Sequence, residues 1–84
     1  YRSRRARDRA AQALRSAALQ RMLPRLGLGV DTPPRAVILA IAQHGRSDPE
    51  WLRHILFGPP PATDADLIQL TRALDDIERQ VTHL

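Results

Sequence analysis

The chain has 84 residues, which limits it to one small domain. Its composition, 43% hydrophobic and 26% charged, is typical of a folded globular protein and excludes a disordered or fibrous one. It contains no cysteine, so disulfides and cysteine-ligated metal are excluded. The longest apolar run is 36–42, which is far shorter than the about 20 residues that a membrane-spanning helix needs.

The charges divide the chain into two parts. Residues 1–25 hold eight arginines and one acidic residue, whereas 26–84 hold five arginines and eight acidic residues. We therefore predict a basic amphipathic leader helix in 1–25 and a compact helical domain in 26–84. A basic leader can meet nucleic acid, an anionic membrane surface or an acidic protein, and its simplest interpretation is a solvated helix face.

The leader is predicted to be helical over about 4–23, because it is rich in Ala, Arg, Leu and Gln. Ala10, Leu14, Ala18 and Met22 recur at every fourth position and form a thin apolar stripe. Pro24 is expected to end or kink this helix. Whether the leader packs on the remainder of the chain stays open.

Two short helices are predicted next, over about 33–44 and 48–57. In the first, Asp31 or Thr32 is the expected cap, and the run 36–42 is apolar nearly all round, which is typical of a buried helix; a strand is the competing interpretation. In the second, Ser47 and Glu50 have capping-box spacing. Three prolines at 59–61 then form an extended connection.

The fourth predicted helix, about 63–82, has the strongest pattern. Thr63 is the expected cap. Apolar residues follow at alternating spacings of three and four, which is a heptad seam made of Leu67, Leu70, Leu74, Ile77, Val81 and Leu84. Packing of this seam on the other helices of the same chain is the favoured interpretation, and pairing with a second copy in a homodimer is the alternative.

These elements predict an all-α fold, a small bundle of four helices with short Gly and Pro connections. The expected core consists of Ile38, Ile41, Trp51, Leu52, Ile55, Leu56, Leu67, Leu70, Leu74 and Ile77.

No arrangement of residues predicts catalysis. The chain lacks Cys and Lys, and no serine lies in a Gly-x-Ser-x-Gly motif. The histidines at 44, 54 and 83 are too scattered for a zinc motif, and no phosphate-binding loop is present. We therefore expect no enzyme activity, no metal and no cofactor.

A helix-turn-helix domain that binds nucleic acid is an alternative, since two short helices meet around Gly45. The pattern fits poorly, because Ile41 stands where a small side chain is usual and His44 and His54 fall on buried positions. Asp48 and Glu50 would also face phosphates, so we expect nucleic acid to be an unlikely partner.

Several motifs together resemble a known family. They are Tyr1-Arg2-x-Arg4-Arg5-Ala6-Arg7-x-Arg9-Ala10, Thr32-Pro33-Pro34, Leu56-Phe57-Gly58-Pro59-Pro60-Pro61, Thr63-Asp64-Ala65-Asp66-Leu67 and Ala73-Leu74-Asp75 followed by Glu78. They resemble the cytoplasmic C-terminal tail of an uncharacterised actinobacterial membrane protein family, a domain of unknown function encoded beside a MoxR-type AAA ATPase. The resemblance implies a piece of a longer membrane protein on the cytoplasmic side of the plasma membrane, and such an ATPase as partner.

We therefore expect a non-enzymatic module that docks a protein partner. The residues expected to contact an anionic membrane surface or another polyanion are Arg2, Arg4, Arg5, Arg7 and Arg9. Asp75, Asp76 and Glu78 are the expected polar partner face. A homo-oligomerisation module that associates through the 67–84 seam is a further alternative.

Overall fold

The fold is known from a computed structural model of the chain, which describes residues 4–45 and 47–82. It contains α1 (Arg4–Leu26), α2 (Pro34–His44), α3 (Pro49–Phe57) and α4 (Asp64–Thr82). No strand occurs in the described ranges. The predicted all-α bundle of four helices is therefore confirmed.

The two long helices lie side by side and run in the same direction. Arg7 near the start of α1 pairs with Asp64 at the start of α4, and Arg21 near the end of α1 pairs with Glu78 near the end of α4. Helix α1 has 23 residues, about 34 Å at 1.5 Å per residue, and the longest extent of the molecule is 37 Å. The parallel pair of α1 and α4 therefore sets the length of the molecule.

The short helices close the side of this pair. The hydroxyl of Ser47, just before α3, donates a hydrogen bond to Gln80 Oε1 near the end of α4, at 3.0 Å. The other end of α3 is reached by Arg15 from the middle of α1. Helix α3 therefore runs opposite to α4, and α2 packs on α3.

One apolar cluster forms the core. Eight of the ten predicted core residues are buried in it: Ile38, Ile41, Leu52, Leu56, Leu67, Leu70, Leu74 and Ile77. The prediction is wrong for Trp51, whose side chain is 38% exposed, while Ile55 is half-buried against the cluster. The reason is that Leu52 and Leu56, one turn apart, point α3 at the core, and Trp51 lies about 100° away around that helix.

The leader helix shares this core, which settles a question that the sequence leaves open. Ala11, Ala18, Met22 and Leu23 are buried in the same cluster as the α4 seam. Because an alanine extends only one carbon from the backbone, Ala11 and Ala18 let α1 approach α4 closely. The thin apolar stripe of the leader is thus a packing surface.

Helix α1 continues through Pro24 to Leu26. The expectation that Pro24 ends this helix is therefore wrong. Proline removes one N–H donor and crowds the preceding turn, and here only two helical residues follow it, so the disruption falls at the end of the helix. The helix ends at Gly27, whose φ of 72° favours glycine. The N–H groups of Leu28 and Gly27 donate to the carbonyls of Leu23 and Pro24, at 2.9 and 3.1 Å, which is a Schellman motif.

One of the predicted helix caps is confirmed. The N–H of Asp66 donates to Thr63 Oγ1 at 3.1 Å, so Thr63 caps α4.

The other predicted caps are wrong. Helix α2 begins after Pro33, and the Thr32 hydroxyl donates instead to the Gly29 carbonyl at 2.7 Å. Helix α3 begins after Asp48, which makes no side-chain capping bond, while Ser47 is bound by Gln80. In both cases a proline occupies the first turn and supplies no N–H, so fewer donors need a cap.

We predict that Ala18→Leu destabilises the fold, because three added carbon atoms cannot fit between α1 and the α4 seam. The expected loss is about 2 kcal/mol in the free energy of unfolding, measured by urea denaturation. Ala13→Leu, at an exposed position of the same helix, is the matched control. Equal stability of the two variants would contradict the close α1–α4 contact.

Candidate functional site

The described basic residues at the start of α1 form an exposed basic end. The side chains of Arg4, Arg5 and Arg9 are exposed, and we call these three residues the basic end. Arg4 and Arg9 are five residues apart, about 7.5 Å along the helix, which is less than the about 8 Å Debye length at physiological salt. The three charges therefore act together on an approaching anion. Arg2 lies outside the described residues.

Arg7 belongs to the fold and not to the basic end. Its Nε donates to the Pro61 carbonyl at 3.2 Å, and its Nη1 lies 3.3 Å from Asp64 Oδ1. Its side chain is 16% exposed. The structure thus separates Arg7 from Arg4, Arg5 and Arg9, the other described arginines predicted to contact a polyanion.

Arg15 holds the C-terminal end of α3. Its Nε donates to the Ile55 carbonyl at 2.8 Å, its Nη1 to the Gly58 carbonyl at 2.8 Å, and its Nη2 to the carbonyls of His54 and Pro59 at 3.3 and 3.2 Å. The last carbonyls of a helix have no partner within the helix and carry partial negative charge. One guanidinium from α1 therefore satisfies these acceptors and joins α1, α3 and the proline segment.

Arg15 is partly buried, and this burial acts on its guanidinium. Desolvation by burial lowers the pKa of its guanidinium. The group stays charged at neutral pH, because arginine normally loses its proton only far above neutrality. The carbonyl oxygens around it supply the compensation that a partly buried cation requires.

Glu78, one of the three residues of the predicted polar partner face, forms an ion pair within the chain. Arg21 binds Glu78 with two nitrogens, and its Nε lies 3.1 and 3.0 Å from the two carboxylate oxygens. This hydrogen bonding raises the pKa of Arg21. Asp76 pairs with Arg79 one turn away, and Asp75 is exposed. Asp75 and Asp76 thus remain at the surface, while Glu78 joins α4 to α1.

The described part of the predicted seam lies in the core, which is the interpretation that the sequence favours. Association of two copies through this seam stays a prediction. Each of its described members is at most 5% exposed: Leu67, Leu70, Leu74, Ile77 and Val81. These buried side chains pack in the same cluster as residues of α1, α2 and α3. Leu84 lies outside the described residues.

A first groove lies between α3, the proline segment 59–61 and α4, with a volume of about 350 Å³. Trp51, His54 and Ile55 form one wall, and Asp66 and Gln69 lie on the α4 side. Arg15 also borders this groove, but its nitrogens are directed to backbone carbonyls. The groove combines one aromatic ring with polar groups of both charges.

A second groove lies between α2 and α3 and has a volume of about 410 Å³. We call it the α2–α3 groove, and it is lined by Pro34, Arg35, Ile38, Leu39, Pro49, Glu50, Arg53 and Phe57. Leu39 and Phe57 are among the most exposed large apolar side chains of the described chain, at 50% and 36%. This groove is therefore the more apolar of the two.

The helix-turn-helix interpretation stays a prediction. Helices α2 and α3 do pack on each other. His44 and His54, which fall on buried positions of that motif, are exposed here. On the exposed face of α3, Arg53 is paired with Glu50 at 2.9 Å, and both side chains are more than 60% exposed.

No group of three or more His, Asp or Glu side chains lies close enough to hold a metal ion in residues 4–45 and 47–82. None of the helices within these ranges has both the length and the apolar character that crossing a membrane requires.

Comparison with known proteins gives one informative match. The chain is 66% identical over 83 residues to Rv3691, an uncharacterised membrane protein of Mycobacterium tuberculosis. It is homologous to part of a membrane protein. The match covers 99% of this chain and 22% of the relative, so the chain spans about a fifth of that protein. No family model matches the chain, and no solved structure matches it.

Arg15 and Arg21 were missed by the sequence analysis. Their positions in the sequence could have indicated this role. Arg15 lies four residues after Ala11, and Arg21 lies three residues after Ala18, so both arginines are neighbours of the alanine stripe on the helix surface. A long cation beside a buried stripe can reach a neighbouring helix. The sequence does not show which helix that is, because the carbonyls and carboxylate that receive these arginines lie about 40 or more residues away.

We predict that Arg15→Gln lowers the free energy of unfolding by about 1–2 kcal/mol, because a charged donor to several carbonyls is removed. Thermal denaturation followed by circular dichroism measures the loss. Arg25→Gln, an exposed arginine of the same helix, is the control and should change stability by less than about 0.5 kcal/mol. An unchanged melting temperature in Arg15→Gln would contradict the proposal that Arg15 stabilises the contact between α1 and the end of α3.

Proposed function

We propose that the chain is a non-enzymatic interaction module on the cytosolic side of a membrane protein. Its basic end contacts the anionic leaflet, and its helical surface docks a protein partner. The single observation that carries this proposal is the basic end itself, three exposed cations within the first two turns of α1. The other arginines of that helix whose contacts are described here, Arg7, Arg15 and Arg21, are bound within the fold.

The membrane contact is supported by charge and by the relative. Arginine near a cytoplasmic leaflet follows the positive-inside rule, and each exposed arginine close to anionic lipid contributes about 1 kcal/mol. The chain is homologous to part of a membrane protein, so a nearby bilayer is a reasonable surface for these charges.

The non-enzymatic assignment is supported by the residue types. The chain has no Cys or Lys and no nucleophile motif. The partner is proposed to be a MoxR-type AAA ATPase, as the family resemblance of the sequence motifs implies. The exposed apolar and charged surfaces of α2, α3 and α4 are the regions available for such a partner.

The membrane part predicts binding to vesicles that contain an anionic phospholipid. Replacing Arg4, Arg5 and Arg9 together by Gln should weaken this binding roughly a hundredfold, which corresponds to about 3 kcal/mol. Co-sedimentation with phosphatidylglycerol-containing vesicles, compared with pure phosphatidylcholine vesicles, measures the effect.

The control variant carries the same charge change elsewhere, with Arg25, Arg35 and Arg72 replaced by Gln, all of them exposed. It should retain most of the vesicle binding. Equal loss in both variants would show that net charge alone matters and would contradict a specific basic end. Tight binding to duplex DNA with a sequence preference would favour the nucleic-acid alternative.

The partner part predicts a complex with a purified MoxR-type ATPase. Fluorescence of Trp51, the only tryptophan of the chain, provides a reporter, because its half-exposed ring should change environment when a protein covers α3. A tryptophan-free variant of the ATPase removes the background signal. If sedimentation shows no complex with the ATPase, the partner assignment is wrong, while the vesicle result stands by itself.

A further inference from the structure

Helix α2 carries more apolar surface than the fold of this chain uses. The run 36–42 is apolar at every position, which is typical of a helix buried on all sides. The structure buries Val37, Ile38 and Ile41, but it leaves Leu39 half exposed. The expectation of a fully buried helix is therefore wrong for this chain alone, and the face of α2 that carries Leu39 stays partly open to solvent.

Phe57, the last residue of α3, extends this uncovered surface across the α2–α3 groove. Ile38 lies at the base, and Pro34 and Pro49 complete the apolar lining. Leucine and phenylalanine facing one groove from two helices provide the apolar centre that is typical of a binding surface. Ile68, by contrast, is an exposed apolar residue on α4 that lines none of the grooves described above.

The rim of the groove is positive. Arg35 is exposed and makes no hydrogen bond or ion pair with any described residue. Arg53 is paired with Glu50, but both side chains are more than 60% exposed, so this pair contributes little and can be exchanged. The groove thus offers two arginines against one carboxylate, which favours an acidic occupant.

We infer that the α2–α3 groove binds an amphipathic acidic helix of a partner protein. The partner's apolar side chains, spaced three and four residues apart, insert between Leu39 and Phe57, and its carboxylates pair with Arg35 and Arg53. This inference deepens the proposed function, on which it rests, by assigning the docking surface and the chemistry of the docked segment.

The test uses the whole chain and two designed peptides of about 18 residues, or five helical turns. Both carry Leu on one helical face; one has Glu and the other Lys at the flanking positions. Binding is measured by calorimetry and located by nuclear magnetic resonance shifts. The acidic peptide should bind at least tenfold more tightly than the basic one, with the largest shifts at Leu39, Phe57 and Arg35.

Two pairs of variants separate the groove from the rest of the surface. Leu39→Gln should weaken acidic-peptide binding about tenfold, whereas Ile68→Gln, at a similarly exposed leucine-sized residue, should not. Arg35→Glu should weaken it by a similar factor and reverse the preference toward the basic peptide, whereas Arg72→Glu should leave it unchanged.

Several outcomes would overturn the inference. They are failure of both peptides to bind, equal binding of the two peptides, or equal effects of the Leu39 and Ile68 variants. If Leu39→Gln weakens vesicle binding and leaves peptide binding unchanged, the groove inserts into membranes and does not bind a partner helix. The groove variants leave Arg4, Arg5 and Arg9 in place, so a negative peptide-binding result does not affect the vesicle test of the membrane contact. Binding to the ATPase is measured in a separate experiment.

Discussion

The close approach of α1 and α4 is the constraint on which the structure depends. Two alanines, Ala11 and Ala18, lie almost without exposure in the core, and they let the leader helix settle on the leucine seam of α4. An 84-residue chain has little apolar surface to bury, and all the described side chains of that seam are buried within the molecule. The described part of the seam therefore belongs to the core, and the exposed apolar and charged side chains lie on the other faces of the helices.

This packing divides the arginines of α1 into two groups with different work. Arg7, Arg15 and Arg21 flank the buried stripe and reach Asp64, the end of α3 and Glu78. Arg4, Arg5 and Arg9, together with Arg25 at the other end of the helix, are exposed. Some arginines of this basic segment therefore connect helices within the fold. The positive charge that is available to outside partners is smaller than the composition suggests.

The sequence predicts the helices well because local signals define them: periodic leucines in α4, prolines in the first turns of α2 and α3, and Thr63 as a cap. It fails where the answer depends on distant residues. Trp51 is exposed because Leu52 lies on the core side of α3. Ser47 forms a hydrogen bond with Gln80 and not with its own helix. Leu39 stays half exposed. The α2–α3 groove could not be predicted, since it exists only once two helices meet.

The parallel direction of α1 and α4 has a mechanical consequence. The first turn of α1 and the last turn of α4 lie at opposite ends of a molecule 37 Å long. Tension applied between those two points would load the α1–α4 contact in shear, along its whole length, so the alanine packing and the Arg7 and Arg21 ion pairs would have to yield together. Antiparallel helices joined at one end would instead peel apart one contact at a time. The parallel arrangement therefore resists separation of those two points more strongly than an antiparallel pair with the same contacts would.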